Sequence, residues 1–398
     1  MERKILQNIN TEEAIELTRE LIRIASPNPP GDNRHIAEFL VKTLMKKGFH
    51  STLSQKEETQ MNVVARVKGK GGGRSLLLNG HMDTVPIGDQ NKWTVDPLGG
   101  ECRNGRIYGR GSTDCKSGIA AMIIAAEAIW KADIELRGDI ILALVAGEES
   151  LSENGTGYLL NEGLISADSV IVTEPTTLPA EYPTDQPLQI FTASRGMVWL
   201  EITVEGKAVH AKIAPQGVNA IEKMSTIVLA LQHMSSNLYH PLCGSPTINV
   251  GIIHGGTSPN IVPDHCQIIL DRDMVPGEDP MKVTEQIQRV LHKLQEEDNS
   301  LKATTKIISI EDPVEISQDE QIVRVLNEGI KALFSVEAKI GGMIGANDSR
   351  FFIKRGIPTV ICGPGITTQS HQIDEYVETR SVFNAAKAYA LTMIRFCQ

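Results

Sequence analysis

Five side chains of the kinds that hold metal ions are spread through this 398-residue chain: His81, Asp114, Glu149, Glu174 and His371. Zinc takes imidazole nitrogen and carboxylate oxygen, and a catalytic site leaves a position open for water. Two imidazoles and three carboxylates are enough for two metals that share one bridging carboxylate, and three negative charges offset most of two divalent ions. Such a pair of metals belongs to a hydrolase. Glu148 adjoins one of these residues without being needed as a ligand, which makes it the natural general base. Asp83, two residues after His81, suits the task of holding the histidine ring and fixing its tautomer.

Three of these positions follow apolar runs. Leu76–Leu78 leads into Asn79-Gly80-His81-Met82-Asp83, Ile140–Val145 into Gly147-Glu148-Glu149, and Val170–Val172 into Thr173-Glu174-Pro175. The pattern predicts strands at Asn62–Val67, Ser75–Leu78, Asp139–Val145 and Ser169–Val172. The last three are almost continuously apolar, as central strands covered on both faces are. In open α/β sheets, ligands bind beyond the carboxyl ends of the strands. Asp114 closes a Gly- and Arg-rich loop ahead of an apolar helix, Ile119–Trp130. His371 lies between a short strand, Thr359–Ile361, and a last helix from Arg380 to Phe396. Near the N-terminus, Asn10 caps a helix with Glu13 as capping-box partner and Ala14, Leu17, Leu21 and Ile24 as its apolar stripe.

From Met197 the pattern changes. Strand Met197–Val204, helix Val218–Ser235, strands Thr247–His254 and Cys266–Asp271, helix Met281–Glu297 and strand Leu301–Ile310 make a β-α-β-β-α-β series, the ferredoxin-like arrangement. The expected fold is therefore α/β, with a helix-flanked, mostly parallel sheet over 1–195 and 311–398 and an inserted α+β ferredoxin-like domain over 196–310.

The formal net charge of −10 argues against a nucleic-acid or anionic-membrane partner. No apolar run approaches the roughly 20 residues of a membrane span, and the first residues lack a signal-peptide core. Six scattered cysteines without a C-x-x-C pair read as free thiols, which implies a reducing, cytoplasmic setting. His35, His50, His233, His240, His254, His265 and His292 match no ligand position and read as surface or packing residues.

The segments GHMDTVP, W-x-x-D-P-L-x-G, YGRGSTDCKSG, GEES, TEPT and SHQIDE together resemble metallopeptidase family 20, which includes acetylornithine deacetylase, succinyl-diaminopimelate desuccinylase, aminoacylase and glutamate carboxypeptidase. The resemblance implies that His81 and Glu174 hold one zinc, Glu149 and His371 the other, and that Asp114 bridges, with cobalt or manganese as substitutes. It implies Glu148 as the base, Asp83 beside the histidine, and a cis peptide at Asp114–Cys115. It makes the inserted domain a lid and homodimerisation surface. There His210, in Val209-His210-Ala211, would reach a neighbouring active site and donate a hydrogen bond to the oxyanion, and Asn260 would face substrate. Trp93 would pack beneath the site.

Three segments depart from the family pattern, the first at Cys115, where relatives commonly carry Met or Asp. Relatives often carry Asp-x-Arg before Pro-Gly, the arginine gripping a substrate carboxylate. Here Arg272 comes one place early and Asp273 takes its position, which on a strand is the other face. Asp273 then faces a cationic or uncharged substrate or forms an ion pair within the lid. Asn347-Asp348-Ser349-Arg350 replaces Thr-Asp-Ala-Arg, leaving Arg350 as an anion contact or a structural pair. The expectation is a dinuclear-zinc amidohydrolase that removes an acyl group from a small N-acyl amino acid or related amine. The alternatives are a dipeptidase or carboxypeptidase, or a deformylase or deacylase of an amine without the α-carboxylate. A catalytically silent binding protein would have lost the base or ligands, and all six positions are filled.

Overall fold

The structure is a computed structural model describing residues 1–177, 188–232, 234 and 238–398. His233 and Ser235 fall outside the described residues, and the helix expected to reach Ser235 is described over Ala220–Gln232. The chain divides into two compact units: Met1–Thr192 with Ile316–Gly341 and Asn347–Gln398, and Ala193–Glu315 with Gly342–Ala346. The second unit thus starts and ends a few residues outside the expected 196–310. It also takes in Gly342, which lies so near the Leu242 carbonyl that a Cβ would come within 2.7 Å of its oxygen.

In the first unit the sheet runs His50–Glu57, Gln60–Val67, Ile140–Val145, Leu76–His81, Ser169–Val172, Thr359–Ile361 and Ile190–Ser194. Of these seven strands the four central ones are mutually parallel. Antiparallel strands flank them on both sides, so the sheet is mixed. On one side the reason is local. Glu57 pairs with Gln60 across a two-residue turn, and so short a connection can join only antiparallel strands. The edge strand His50–Glu57 is polar and largely exposed, which hid it from an apolar-pattern reading. Every residue of Leu76–His81 and Ile140–Val145 is buried. Helices Thr11–Arg23, Ser117–Lys131 and Thr379–Phe396 share a core with these strands through Leu21, Ile119, Ile123, Leu142, Ala386 and Tyr389.

Asn10 does cap the first long helix, accepting from the Glu13 N–H at 3.2 Å. The capping box is only half made, because the Glu13 carboxylate turns to Lys47 and Lys131 instead. A short helix, Glu2–Asn8, precedes it and was not expected.

The second unit is a four-stranded antiparallel sheet ordered Thr247–Gly255, His265–Met274, Gly196–Glu205, Lys302–Glu311. Numbered along the chain this is 2-3-1-4, the ferredoxin-like order. Helices Ala220–Gln232 and Pro280–Glu297 cover one face with Met224, Ile227 and Ile287 against Val198, Leu200, Ile202, Ile268 and Leu270.

Candidate metal centre

The register of the central strands brings the ligand loops to one edge. His81 pairs with Val145 and Asn79 with Val172. Glu148 and Glu149 therefore leave the sheet just beyond His81, and Glu174 follows two residues after Val172 at the same edge. Asp114 arrives from the tight turn Ser112–Lys116 that starts the helix Ser117–Lys131.

The five donors meet in two groups. His81 Nε2 lies 2.9 Å from Asp114 Oδ1 and 3.4 Å from Glu174 Oε1. His371 Nε2 lies 3.3 Å from Asp114 Oδ2 and 3.3 Å from Glu149 Oε1. The two oxygens of one carboxylate thus face two different imidazoles. Ligands at zinc-like bond lengths on a tetrahedron stand about 3.3 Å apart, so these spacings are those of two three-donor sets joined at Asp114, each with a position to spare. The residues fit two metal ions: His81, Asp114 and Glu174 would hold one, and His371, Asp114 and Glu149 the other. The His371 side chain is half exposed and leaves that side open. The Asp114–Cys115 peptide is cis.

The electrostatics follow from this crowding. Bonds from Asp114 and then Glu149 hold the His371 ring up to about 10. Burial works against charge on His81, but the Cys115 sulfur and the Glu174 and Asp114 carboxylates overcome it and raise the ring well above its ordinary value. Desolvation pushes Glu148 well above the carboxylate range and Glu174 up to about 7. Divalent cations at the two donor sets would draw these carboxylates back down and displace the imidazole protons.

Asp83 differs from expectation. His81 Nδ1 bonds the Asp83 main-chain carbonyl at 2.9 Å, and the Asp83 carboxylate is 3.8 Å from that nitrogen. The carbonyl, not the side chain, fixes the ring. A carbonyl can only accept, so the neutral ring carries its proton on Nδ1 and presents the Nε2 lone pair to the centre. The Asp83 carboxylate accepts instead from the Glu148 N–H and the Glu149 N–H, each at 3.2 Å.

Two residues of the centre were missed. Glu375, fully buried, accepts from Thr113 N at 2.8 Å and Asp114 N at 3.2 Å with one oxygen. Its other oxygen accepts from Arg110 Nη1 at 2.8 Å and Gly111 N at 3.1 Å. Arg110 also donates to the His371 and Gln372 carbonyls. One ion pair therefore ties the loop of the bridging residue to the loop of His371. The available signal was an opposite-charge pair inside two segments, YGRGSTD and SHQIDE, already marked by their ligands. Trp93 stacks on Arg110 with the guanidinium 5.2 Å from its ring, packing this loop. Glu375→Gln removes the charge facing Arg110 and sets its new NH₂ against two of these four donors. The expected result is a roughly 10- to 100-fold loss of metal affinity with the fold retained. Competition with a chromophoric chelator measures it, and unchanged affinity refutes the role.

The second unit brings His210 and Asn260 together: Ala211 N donates to the Asn260 carbonyl at 2.9 Å. His210 Nδ1 accepts from Lys212 N at 3.1 Å, so its neutral ring carries the proton on Nε2. Asp273 pairs with Arg195 at 3.4 Å and accepts from Thr247 Oγ1 at 3.0 Å, an ion pair within the second unit. Arg272, on the buried side of the strand, pairs with Glu278 at 2.6 Å. Arg350 is buried and donates to the Asn347 and Leu151 carbonyls at 2.9 and 2.8 Å. Among the described residues no helix is long and apolar enough to cross a membrane.

Known proteins resemble the chain over nearly its whole length. It is 28% identical over 417 residues to N-formyl-4-amino-5-aminomethyl-2-methylpyrimidine deformylase of Bacillus subtilis, covering 97% of this chain and 95% of that protein. It is 28% identical over 387 residues to acetylornithine deacetylase of Vibrio parahaemolyticus, covering 94% and 95%. Its fold is similar to that of an M20 family metallo-carboxypeptidase from Sulfolobus solfataricus, with a TM-score of 0.78 at 21% identity over 96% of this chain and 99% of the other. A family profile described as peptidase family M20/M25/M40 matches residues 77–395, a span holding all five metal-type donors and Glu148. The chain belongs to this family of metallohydrolases that act on amide bonds.

Proposed function

We propose that the protein is a dinuclear-zinc amidohydrolase that removes the acyl group from a small N-acyl amino acid or related amine, with cobalt or manganese able to replace zinc. The observation that supports this most is the sharing of Asp114 between His81 and His371, with Glu148 beside Glu149 at the same sheet edge. Two zinc ions would polarise the acyl carbonyl and acidify the attacking water. Glu148 takes the proton of that water as its oxygen bonds the acyl carbon. As the resemblance implies, His210 of a neighbouring copy of the chain would donate its Nε2–H to the oxyanion. Glu148 then passes the proton to the amine nitrogen as the C–N bond breaks, leaving carboxylic acid and free amine.

A second reading, an acyl or formyl amine without an α-carboxylate, is favoured by the arginines. Arg272 is turned inward onto Glu278, Arg195 is neutralised by Asp273, and Arg350 serves main-chain carbonyls. Arg272 and Arg195 are thus already engaged by carboxylates of this chain.

The proposal includes a homodimer formed through the second unit. The edge strand Thr247–Gly255 exposes Ile252 and Ile253, and the helix beside it, Ala220–Gln232, exposes Ile221 and Leu229. It also includes a cytoplasmic setting without nucleic-acid or membrane partners, supported by six unpaired cysteines and the acidic charge. The test is a hydrolysis panel of N-acetyl, N-succinyl and N-formyl amines, with and without an α-carboxylate, beside dipeptides. Acyl amines are expected to be cleaved, those without the carboxylate fastest under the second reading. A zinc-loaded protein that cleaves nothing, or dipeptides alone, refutes the proposal.

A further inference from the structure

Asn28 belongs to neither donor set, yet its side chain is buried and both amide hydrogens are used. The segment around it is held alongside the residues after His81. Ser26 Oγ donates to the Met82 carbonyl at 2.7 Å, Thr84 N donates to Ser26 O at 3.0 Å, and Asn28 N donates to Thr84 O at 2.8 Å. With its main chain fixed, Asn28 sends Nδ2 to Asp83 Oδ2 at 2.9 Å and to Ser150 Oγ at 2.8 Å. An ionised carboxylate only accepts, so this amide orientation is the one the network permits.

Both acceptors reach the same short turn. Asp83 accepts from the Glu148 and Glu149 N–H groups, and Ser150 Oγ donates to the Gly147 carbonyl at 3.3 Å. The turn is not one the chain holds cheaply by itself. Gly147, Leu151 and Ser152 that bracket it all have left-handed backbone, at φ of 72, 82 and 55°, and for the two non-glycine residues that conformation is disfavoured. Bonds from outside the turn have to maintain it.

We infer that Asn28 is a positioning residue: through Asp83 and Ser150 it orients the turn that carries Glu148 and Glu149. A main-chain N–H turned away from Asp83 would swing the Glu148 carboxylate with it, and a small displacement of a proton-transfer group costs rate more than binding. Asparagine is required by chemistry as well as size. Aspartate would set a second carboxylate against Asp83, and alanine would leave Asp83 and Ser150 without this donor.

The inference rests on Glu148 as the base, and the test separates the two. Asn28→Ala, Asn28→Asp and Ser150→Ala are prepared in the zinc-loaded full chain. Amide hydrogen exchange is followed by mass spectrometry over the Gly147–Ser152 peptide, and kcat and KM are measured on N-acetyl and N-formyl amine probes. The expected result is exchange about tenfold faster in that peptide for both Asn28 variants, with protection elsewhere unchanged. In the same variants kcat falls roughly 10- to 100-fold while KM stays within about twofold. Ser150→Ala loosens the peptide less, and it carries the comparison if the Asn28 variants do not fold. Unchanged exchange, or loosened exchange with kcat intact, overturns the inference. A wild-type protein that cleaves none of the probes refutes the proposed function instead, and the exchange result alone then decides the clamp.

Discussion

Glu148→Gln is expected to lower hydrolysis by about 10²- to 10⁴-fold while both metal ions remain bound. The side chain keeps its size and loses the ability to take a proton. The donor spacings explain why metal content should hold: the short imidazole–carboxylate contacts run through Asp114, Glu149 and Glu174, and none runs through Glu148. Metal analysis beside turnover therefore tells a base from a ligand, since a ligand change would lower both. The pH profile adds a second check. A general base must be ionised to act, so the wild-type rate rises with pH through its pKa and levels off above it. Desolvation moves that acid limb upward from the ordinary carboxylate range, and bound cations move it back. The residual rate of Glu148→Gln should lack the limb. A variant that keeps the wild-type limb assigns it to another group and removes Glu148 from the role.

Legibility of the centre divided along a physical line. His81, Glu149 and Glu174 could be read because each follows a buried strand whose side chains are apolar on both faces, and such runs show themselves without a partner. His50–Glu57 could not, because an edge strand with solvent on its faces carries no apolar alternation. At Asp83 the residue was found but not the atom: which of its oxygens meets His81 depends on backbone direction, which residue type does not encode. Arg110 and Glu375 are 265 positions apart, and Asn28 and Ser150 are 122 apart. Pairs so distant follow no spacing rule and become visible only when the loops are in place. The shift from Arg272 to Asp273 shows both halves of this. Strand alternation correctly separated their faces, but their partners, Glu278 and Arg195, could be named only from the fold.

Asp114→Asn is expected to reduce metal binding from two ions toward one and to leave the His371 side occupied. The native carboxylate meets His81 with Oδ1 and His371 with Oδ2. An amide has only one oxygen to offer, and its nitrogen has no lone pair for a metal. The choice of side follows from the tautomer of His81. Its Nδ1–H is committed to the Asp83 carbonyl, so its Nε2 is an acceptor and draws the new amide NH₂. The amide oxygen is left facing His371 and Glu149. Charge acts in the same direction at both positions. Loss of the carboxylate charge weakens the attraction for a divalent ion at each of them. The His81–Glu174 position loses a donor as well as that charge and should empty first. Metal stoichiometry by atomic absorption, with anomalous diffraction to show which position remains filled, measures the outcome. Two ions held at wild-type affinity would mean that Asp114 does not bridge. A single ion at His81 and Glu174 would mean that the ring of His81 adopts the opposite tautomer and that the main-chain carbonyl of Asp83 does not control it.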